Sequence, residues 1–324
     1  MKILVTGGTG FIGHHLLAAL AKTEDSDIFL LVRNLRRLDA SLLSCIFPLA
    51  GDLGSIPPLP SDLDVVFHLA GLTKGVKAAD YYTVNYKGTA SLLDSLTHQK
   101  KRIKFILLSS LAAVGPAAAD APVEEADEPR PLNPYGESKL LAEQIALEHK
   151  ENLTVAIVRV GGVYGPGDRD FLPFFRFINR GFLPLFDSGR MRLSLCYVED
   201  LVRFLLLVAA TESESGEIWH VADPRIYTWE EIGTTAASIL GKRRLTKVKI
   251  PAFVVFTIAA ASQGLSRISK RASVINLDKY REMKAAFWVA DTSKARRKLG
   301  FQPEFSLERG LRETLAWYQE KGWL

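Results

Sequence analysis

Short apolar runs recur along the first half of the chain, each separated from the next by a segment long enough for a helix. They read KILVT (2–6), DIFLLV (27–32), VVFHLA (65–70), KFILLSS (104–110) and TVAIVRV (154–160). Runs that are apolar almost throughout, rather than alternating, predict strands buried on both faces, as in a parallel sheet with helices on either side. The expected fold class is therefore α/β, a doubly wound parallel sheet. After residue 160 the pattern becomes irregular: a Gly/Pro loop (GGVYGPGD), an aromatic helix-like stretch (FLPFFRFINRGF) and one late strand candidate, IWHVA (218–222). This predicts the main sheet domain over 1–165 and a smaller, interleaved lobe over 166–324 that covers substrate. The strand near 218–222 is expected to return to the main sheet.

Composition narrows the class. A chain of 324 residues that is 48% apolar can build a sizeable core, and net charge is only +5. Lys and Arg are scattered or local, with no nucleic-acid motif beside them, so no nucleic acid is expected as partner. Cys45 and Cys196 lie far apart without metal-ligand or C-x-x-C spacing, which predicts a reducing, cytoplasmic setting and no metal. The opening MKILVTGG enters a strand directly, without the pattern of a signal peptide, so the fold is expected to start at residue 1. The longest apolar run, Ile250–Ala261, is well short of the ~20 residues that span a bilayer. It reads as a core helix with solvated basic flanks, KRRLTKVK before it and Arg267, Lys270 and Arg271 after it. The same pattern also describes a peripheral membrane contact through 250–262 on an anionic surface.

Residues 6–13 read TGGTGFIG, placing Gly7, Gly10, Phe11, Ile12 and Gly13 at the turn from the first strand into the first helix. One glycine permits the sharp bend, one lets backbone approach a pyrophosphate, and one lets helix meet sheet; the helix N-terminus then holds the anion. Dinucleotide sites that take NAD place an acid at the end of the second strand. Here Val32 and Arg33 stand there, in LLVRNLRR. Arg33, with Arg36 or Arg37, is suited to a ribose 2′-phosphate, which favours NADP(H), with NAD(H) as the alternative; a solvated helix start is the other reading of these arginines. Asp52 and Leu53, after the third strand, are candidates for the adenine edge, and a turn aspartate explains Asp52 nearly as well.

The fifth apolar run ends in Ser109-Ser110, and an acidic, proline-rich loop then delivers NPYGESK (133–139). Pro134 suits the first turn of a helix, and Tyr135 and Lys139, four apart, share a face of it. A phenol with a pKa of about 10 becomes a useful acid–base only when a cation stabilises its phenolate. Lys139 is that cation, and Ser110 is placed to donate to a substrate carbonyl oxygen. A second Y-x-x-x-K, Tyr280 and Lys284, has no strand ending in serine before it and reads as chance spacing.

Taken in order, TGGTGFIG, HLAG (68–71), VNYKGT (84–89), SSLAAVGP (109–116), YGESK (135–139) and VYGPGD (163–168) resemble the extended short-chain dehydrogenase/reductase superfamily, which includes the NAD-dependent epimerase/dehydratases. The resemblance spans essentially the whole chain. It implies a Rossmann domain and a Ser110/Tyr135/Lys139 triad in which Lys139 also holds the nicotinamide ribose. It further implies that Leu69, Ala70, Ser109 and Gly161, Gly162 and Val163 line the cofactor. Asn85 matches an asparagine near the dinucleotide, although helix capping explains it almost as well. Members often dimerise through the Tyr/Lys helix, so a homodimer is expected.

Departures from the family pattern bear on substrate. Nucleotide-sugar members usually read R-x-x-N-V-Y-G-P, whose Asn contacts a diphosphate; this chain has Gly162 there, after Arg159. Where they carry an Arg and an Asp in R-D-F-x-Y-V-x-D, it has Leu193 and Ser194, with Arg192 one residue earlier. SSLAAVGP is more similar to the 3β-hydroxysteroid dehydrogenase and dihydroflavonol reductase branch. Phe171, Phe174, Phe175, Phe177, Phe182 and Leu183 read equally as an apolar lid or as the core of the small lobe. Together these features predict hydride transfer between NADP(H) and a secondary alcohol or ketone on an apolar, sterol-like or polycyclic small molecule. The alternative is a nucleotide-sugar epimerase or dehydratase with tightly held NAD.

Overall fold

A computed structural model describes residues 1–23, 25–34, 38, 40–118, 121–186, 189, 191–269 and 276–324. The first six strands are β1 (Lys2–Thr6), β2 (Asp27–Val32), β3 (Ile46–Ala50), β4 (Val65–His68), β5 (Lys104–Ser110) and β6 (Thr154–Val160). The rest are β7 (Gly162–Tyr164), β8 (Phe182–Phe186), β9 (Arg192–Tyr197), β10 (Glu217–Val221), β11 (Ile226–Thr228), β12 (Thr246–Ile250) and β13 (Phe287–Trp288). Seven of them form one sheet in the order β10-β6-β5-β4-β1-β2-β3. β1 pairs parallel with β2 and β4, β2 with β3, and β4 with β5. The doubly wound α/β architecture is thus present, with the order reversing between β1 and β4, where such sheets bind ligands at their carboxyl ends.

The chain divides into two compact units, neither continuous in sequence. The first comprises 1–113, 134–159 and 202–219, and the second 114–133, 160–201 and 220–324. The core of the first is mainly aliphatic: Leu4, Val66, Val155 and Ile157, with Phe105, from the strands meet Leu92, Ala142 and Ala146 from the helices. Strand register aligns Thr6 with His68 and His68 with Leu107. The ends of β1 and β4 are thereby level, β5 runs three residues further to Ser110, and loops from all three open on the same edge of the sheet.

The second unit is built on small sheets, β11-β9-β13 with β7 beside β9, and β12 with β8. Its core is more aromatic, with Tyr164, Phe174, Phe175, Tyr197, Tyr227 and Tyr318 all buried. Of the six candidate lid residues, Phe174, Phe175 and Leu183 belong to this core, Phe171 packs against it, and Phe177 and Phe182 are exposed. The core reading therefore holds for half of that stretch. The core-helix reading of the 250–261 run does not: of helix Ala252–Ser269, Val255, Ala259 and Ser266 are buried, whereas Phe253, Phe256, Ile258 and Leu265 are exposed.

Candidate active site

The turn after β1 shows why each motif glycine is needed. Gly7 has φ +76°, and a Cβ there would lie 2.5 Å from the Ala70 nitrogen. A Cβ on Gly13 would lie 2.2 Å from the Gly7 carbonyl oxygen. Gly10 closes the turn by donating its N–H to that same oxygen (2.9 Å) and then caps helix Phe11–Leu20 without a side-chain acceptor. The first turn of the helix, with Phe11 and Ile12, therefore presents amides that no cap side chain takes, the arrangement that suits a phosphate. Leu69 and Ala70 follow β4 directly beside Gly7, so the fold brings these seven positions together. The residues fit a dinucleotide.

Beneath them is a buried polar chain that sequence reading missed. His68 Nδ1 lies 2.6 Å from Thr6 Oγ1, and His68 Nε2 lies 2.9 Å from Thr89 Oγ1. Thr89 donates onward to the Asn85 carbonyl (2.5 Å), while Thr6 Oγ1 accepts the Ala70 N–H (3.2 Å). One arrangement satisfies every atom: Thr6 donates to Nδ1, and a neutral ring donates from Nε2 to Thr89. Burial, followed by the nearby Lys139 charge, lowers the His68 pKa to about 3 and keeps the ring neutral. A lone histidine in HLAG carries no sequence signal of this role.

Asn85 lies in a π-helical turn, Tyr82–Lys87, a distortion that recurs at functional sites. Its side chain is buried and bonds both ways to Leu72, accepting the N–H at 2.6 Å and donating to the carbonyl at 3.1 Å. It also donates to Ser138 Oγ (2.8 Å). Asn85 is therefore a clamp between the loop after β4 and the Tyr/Lys helix, and the capping explanation is replaced.

Helix Pro134–Glu148 carries Tyr135 at its start, only partly covered, and Lys139 buried one turn on. Lys139 Nζ donates to the Leu108 carbonyl (2.6 Å), which fixes the ammonium at the end of β5. Desolvation lowers its pKa to about 8, opposed by the Glu143 carboxylate, so the group remains largely cationic at neutral pH. Tyr135 rests at 6.0 Å from the Tyr81 ring, tilted by 59°. Ser110 Oγ accepts the Ala112 N–H (3.1 Å), which leaves its own proton to donate.

Ser109 behaves differently from its neighbour. It is buried, and its hydroxyl donates to Glu143, which also accepts from Arg159 Nε (3.0 and 3.1 Å) and Nη2 (2.7 Å). Ser109 is thus committed to a buried ion pair behind the helix, and its side chain is not available to a cofactor. Glu143 was invisible in sequence, although its i+4 spacing from Lys139 places both on one face.

The remaining predicted positions are mixed. Arg33 is exposed just past β2; Arg36 and Arg37 lie outside the described residues. Asp52 Oδ1 accepts the N–H groups of Gly54 (2.9 Å) and Ser55 (3.0 Å), so the turn-aspartate reading accounts for that oxygen. Leu53 is packed against Gly88, where a Cβ would meet it at 2.8 Å. Gly161, Gly162 and Val163 fall in the second unit, the last two in β7 beside β9. A Cβ on Gly162 would sit 3.0 Å from Leu195 Cδ2 and 3.2 Å from the Phe171 ring. In that unit Ser194 accepts the Ala290 N–H (3.0 Å) and is buried. Tyr280 packs edge-on against Phe186 and Phe256, as a residue of chance spacing would.

Residues 3–222 match the model of the NAD dependent epimerase/dehydratase family. A ceramide reductase of Caulobacter vibrioides is 30% identical over 99% of this chain and 96% of its own. A decarboxylating sterol-4-alpha-carboxylate 3-dehydrogenase of Schizosaccharomyces pombe is 26% identical over 98% of this chain and 97% of its own. Among solved structures, a UDP-glucuronic acid 4-epimerase from Bacillus cereus, in complex with UDP-glucuronic acid and NAD, superposes with a TM-score of 0.79 at 26% identity. That superposition covers 99% of this chain and 100% of the epimerase.

Proposed function

The chain belongs to the NAD dependent epimerase/dehydratase family, within the extended short-chain dehydrogenase/reductases, and from that premise we propose that it moves hydride between a nicotinamide dinucleotide and a secondary alcohol or ketone on an apolar substrate. The observation that carries the substrate class is Gly162. At the position of the diphosphate-contacting asparagine of nucleotide-sugar members, Leu195 and Phe171 fill the space a larger side chain would need. Leu193 stands at the position of the arginine that grips the nucleotide, with Arg192 one residue earlier, and Ser194, at the neighbouring Asp position, is spent on the Ala290 amide. The asparagine is therefore replaced, and the arginine is displaced by one residue. The names of the Caulobacter and fission-yeast relatives, which specify a ceramide and a sterol, support the same class, sterol-like or long-chain. NADP(H) is favoured over NAD(H) because β2 leads into Arg33 rather than an acid.

In this reading Tyr135 is the acid–base. During reduction its hydroxyl gives a proton to the substrate oxygen, and during oxidation its phenolate takes that proton back. Lys139, held by Leu108, stabilises the phenolate through its charge. Ser110 donates to the substrate oxygen and steadies the charge that develops there. The bound nicotinamide supplies or accepts the hydride. A second reading, nucleotide-sugar epimerisation, is favoured by the likeness to the Bacillus cereus enzyme.

Initial rates with NADPH and NADH on a 3-ketosteroid and a long-chain ketone, beside epimerisation assays with UDP-glucuronic acid, separate the two. Net NADPH oxidation with an apolar ketone is expected, lowered at least about 10²-fold in Tyr135→Phe with NADPH binding retained. Interconversion of the UDP-sugar without net NADPH oxidation overturns the substrate class, and unchanged turnover in Tyr135→Phe overturns the mechanism.

A further inference from the structure

Helix Ala252–Ser269 presents a face that ordinary solvent exposure does not explain. Among the described residues twelve large hydrophobic side chains stand exposed, and five of them fall between Val248 and Leu265. Phe253 and Leu265 are each 69% exposed, the most of any, with Ile258 at 49% and Phe256 at 46%. The buried positions Val255, Ala259 and Ser266 lie on one side of the helix at helical spacing, so the exposed residues form the other side. That side has no charge: from Ala252 to Ser266 the sequence holds no Asp, Glu, Lys or Arg. A water-facing helix normally carries charge on its outer face, and a concentrated apolar patch marks a surface that is covered in use.

The charge around the patch indicates what covers it. Between Ile232 and Leu277 the sequence has eight Lys and Arg and no Asp or Glu, whereas the whole chain carries only +5. This one segment is therefore cationic on a chain whose remainder is net acidic. Lys242, Arg243 and Arg244 sit on the turn before β12; Lys247 and Lys249 project from β12, where four of the five residues are exposed. Lys247 is partly engaged by Glu230 at 2.6 Å. No described helix is long and apolar enough to cross a membrane.

We infer that helix Ala252–Ser269, with the basic turn and strand before it, docks on an anionic lipid surface and lies in the plane of the interface. Phe253, Phe256, Ile258 and Leu265 enter the acyl boundary, and the flanking cations meet the headgroups, the division of labour of an interfacial helix. The docking inference stands whether or not the substrate class proposed above is correct.

The full chain is mixed with vesicles of phosphatidylcholine alone or with a minority of phosphatidylglycerol, at about 0.1 M and about 0.5 M salt. Co-sedimentation is expected with the anionic vesicles and is expected to fall at the higher salt. Phe253→Asp/Leu265→Asp is expected to bind at least about tenfold more weakly, with an unchanged urea midpoint showing that the fold is intact. Replacing Arg243 or Arg244 by alanine is expected to weaken binding roughly fivefold per cation. Two results overturn the inference. One is the absence of preference for anionic vesicles. The other is self-association of the free protein that Phe253→Asp/Leu265→Asp abolishes, which makes the face an interface between copies.

Discussion

The two units bury polar groups for different ends. In the first, buried polarity is ionisable and linked: His68 bridges two threonines, Lys139 hangs from a strand carbonyl, and Glu143 pairs with Arg159. In the second, buried acids take up backbone amides, Asp168 those beside it in sequence and Asp200 those far along the chain. Asp168 accepts the N–H groups of Asp170 and Phe171, and Asp200 those of Glu304 and Phe305. Such bonds settle backbone groups that any fold must settle, whereas desolvated charges cost stability and are kept where chemistry uses them. The contrast is what the proposed function predicts if the first unit carries the proton chemistry.

The sharpest break of that contrast is at Glu143. Glu143→Gln leaves the Arg159 guanidinium buried without its counter-charge, and Arg159 Nη1 already has no partner. A loss of roughly 3–5 kcal/mol in unfolding free energy is expected, read from urea midpoints and slopes. Glu143→Leu/Arg159→Met, which removes both charges, is expected to recover most of it. Lys101 and Asp64 form an exposed ion pair at 2.5 Å, and if Glu143→Gln costs no more than breaking that pair, the buried network has no special standing.

Acid titration tests the same contrast with opposite signs. His68 titrates near 3 when folded and near 6.5 when unfolded, so the folded state binds fewer protons. Its contribution is full above pH 6.5 and is lost as pH falls toward 3. Asp168 goes the other way: burial raises its carboxyl to about 6, so its contribution is full below about 3.8 and is lost as pH rises through 6. The two offset each other between about pH 6 and about pH 4. His68→Gln is expected to flatten the fall in stability over this window and Asp168→Asn to steepen it, each by up to about 1.4 kcal/mol per pH unit. Equal slopes in both variants would show that neither site is desolvated as described.

How much of this was legible in the sequence depended on whether a residue's role is local. The strands were readable because burial on both faces leaves a continuous apolar run, and the Gly7–Gly13 turn because its geometry is set within a few consecutive residues. Tyr135 and Lys139 share their helical spacing with Tyr280 and Lys284, and only the strand ending in Ser109-Ser110 before them set the first pair apart. The Glu143–Arg159 pair joins a helix to β6, and the His68 relay joins residues from three elements far apart in the chain, so neither leaves a pattern in a sequence window. Ser109 and Ser110 are identical letters whose roles separate only because successive strand residues face opposite sides. Asp52 was readable both ways, and its turn hydrogen bonds decided. The 250–261 run misled the core-helix reading because periodicity reports an apolar helix without reporting what lies against each face.

The smallest expected effect tests the proposed substrate class at a position in the second unit. Gly162→Asn restores the residue that nucleotide-sugar members carry, in a place where a Cβ would already lie 3.0 Å from Leu195 and 3.2 Å from Phe171. The backbone there is a strand paired in register with Leu195, so the neighbours rather than the chain must yield. Overpacking of this kind costs typically about 1–3 kcal/mol. Adding Leu195→Ala vacates one side of the clash and is expected to relieve part of the cost. If the asparagine alone is tolerated without loss, and the variant gains turnover on a UDP-sugar, then a single side chain separates the two substrate classes. If it destabilises without gaining that activity, the apolar packing around position 162 is built into the unit, and substrate preference is a property of its core.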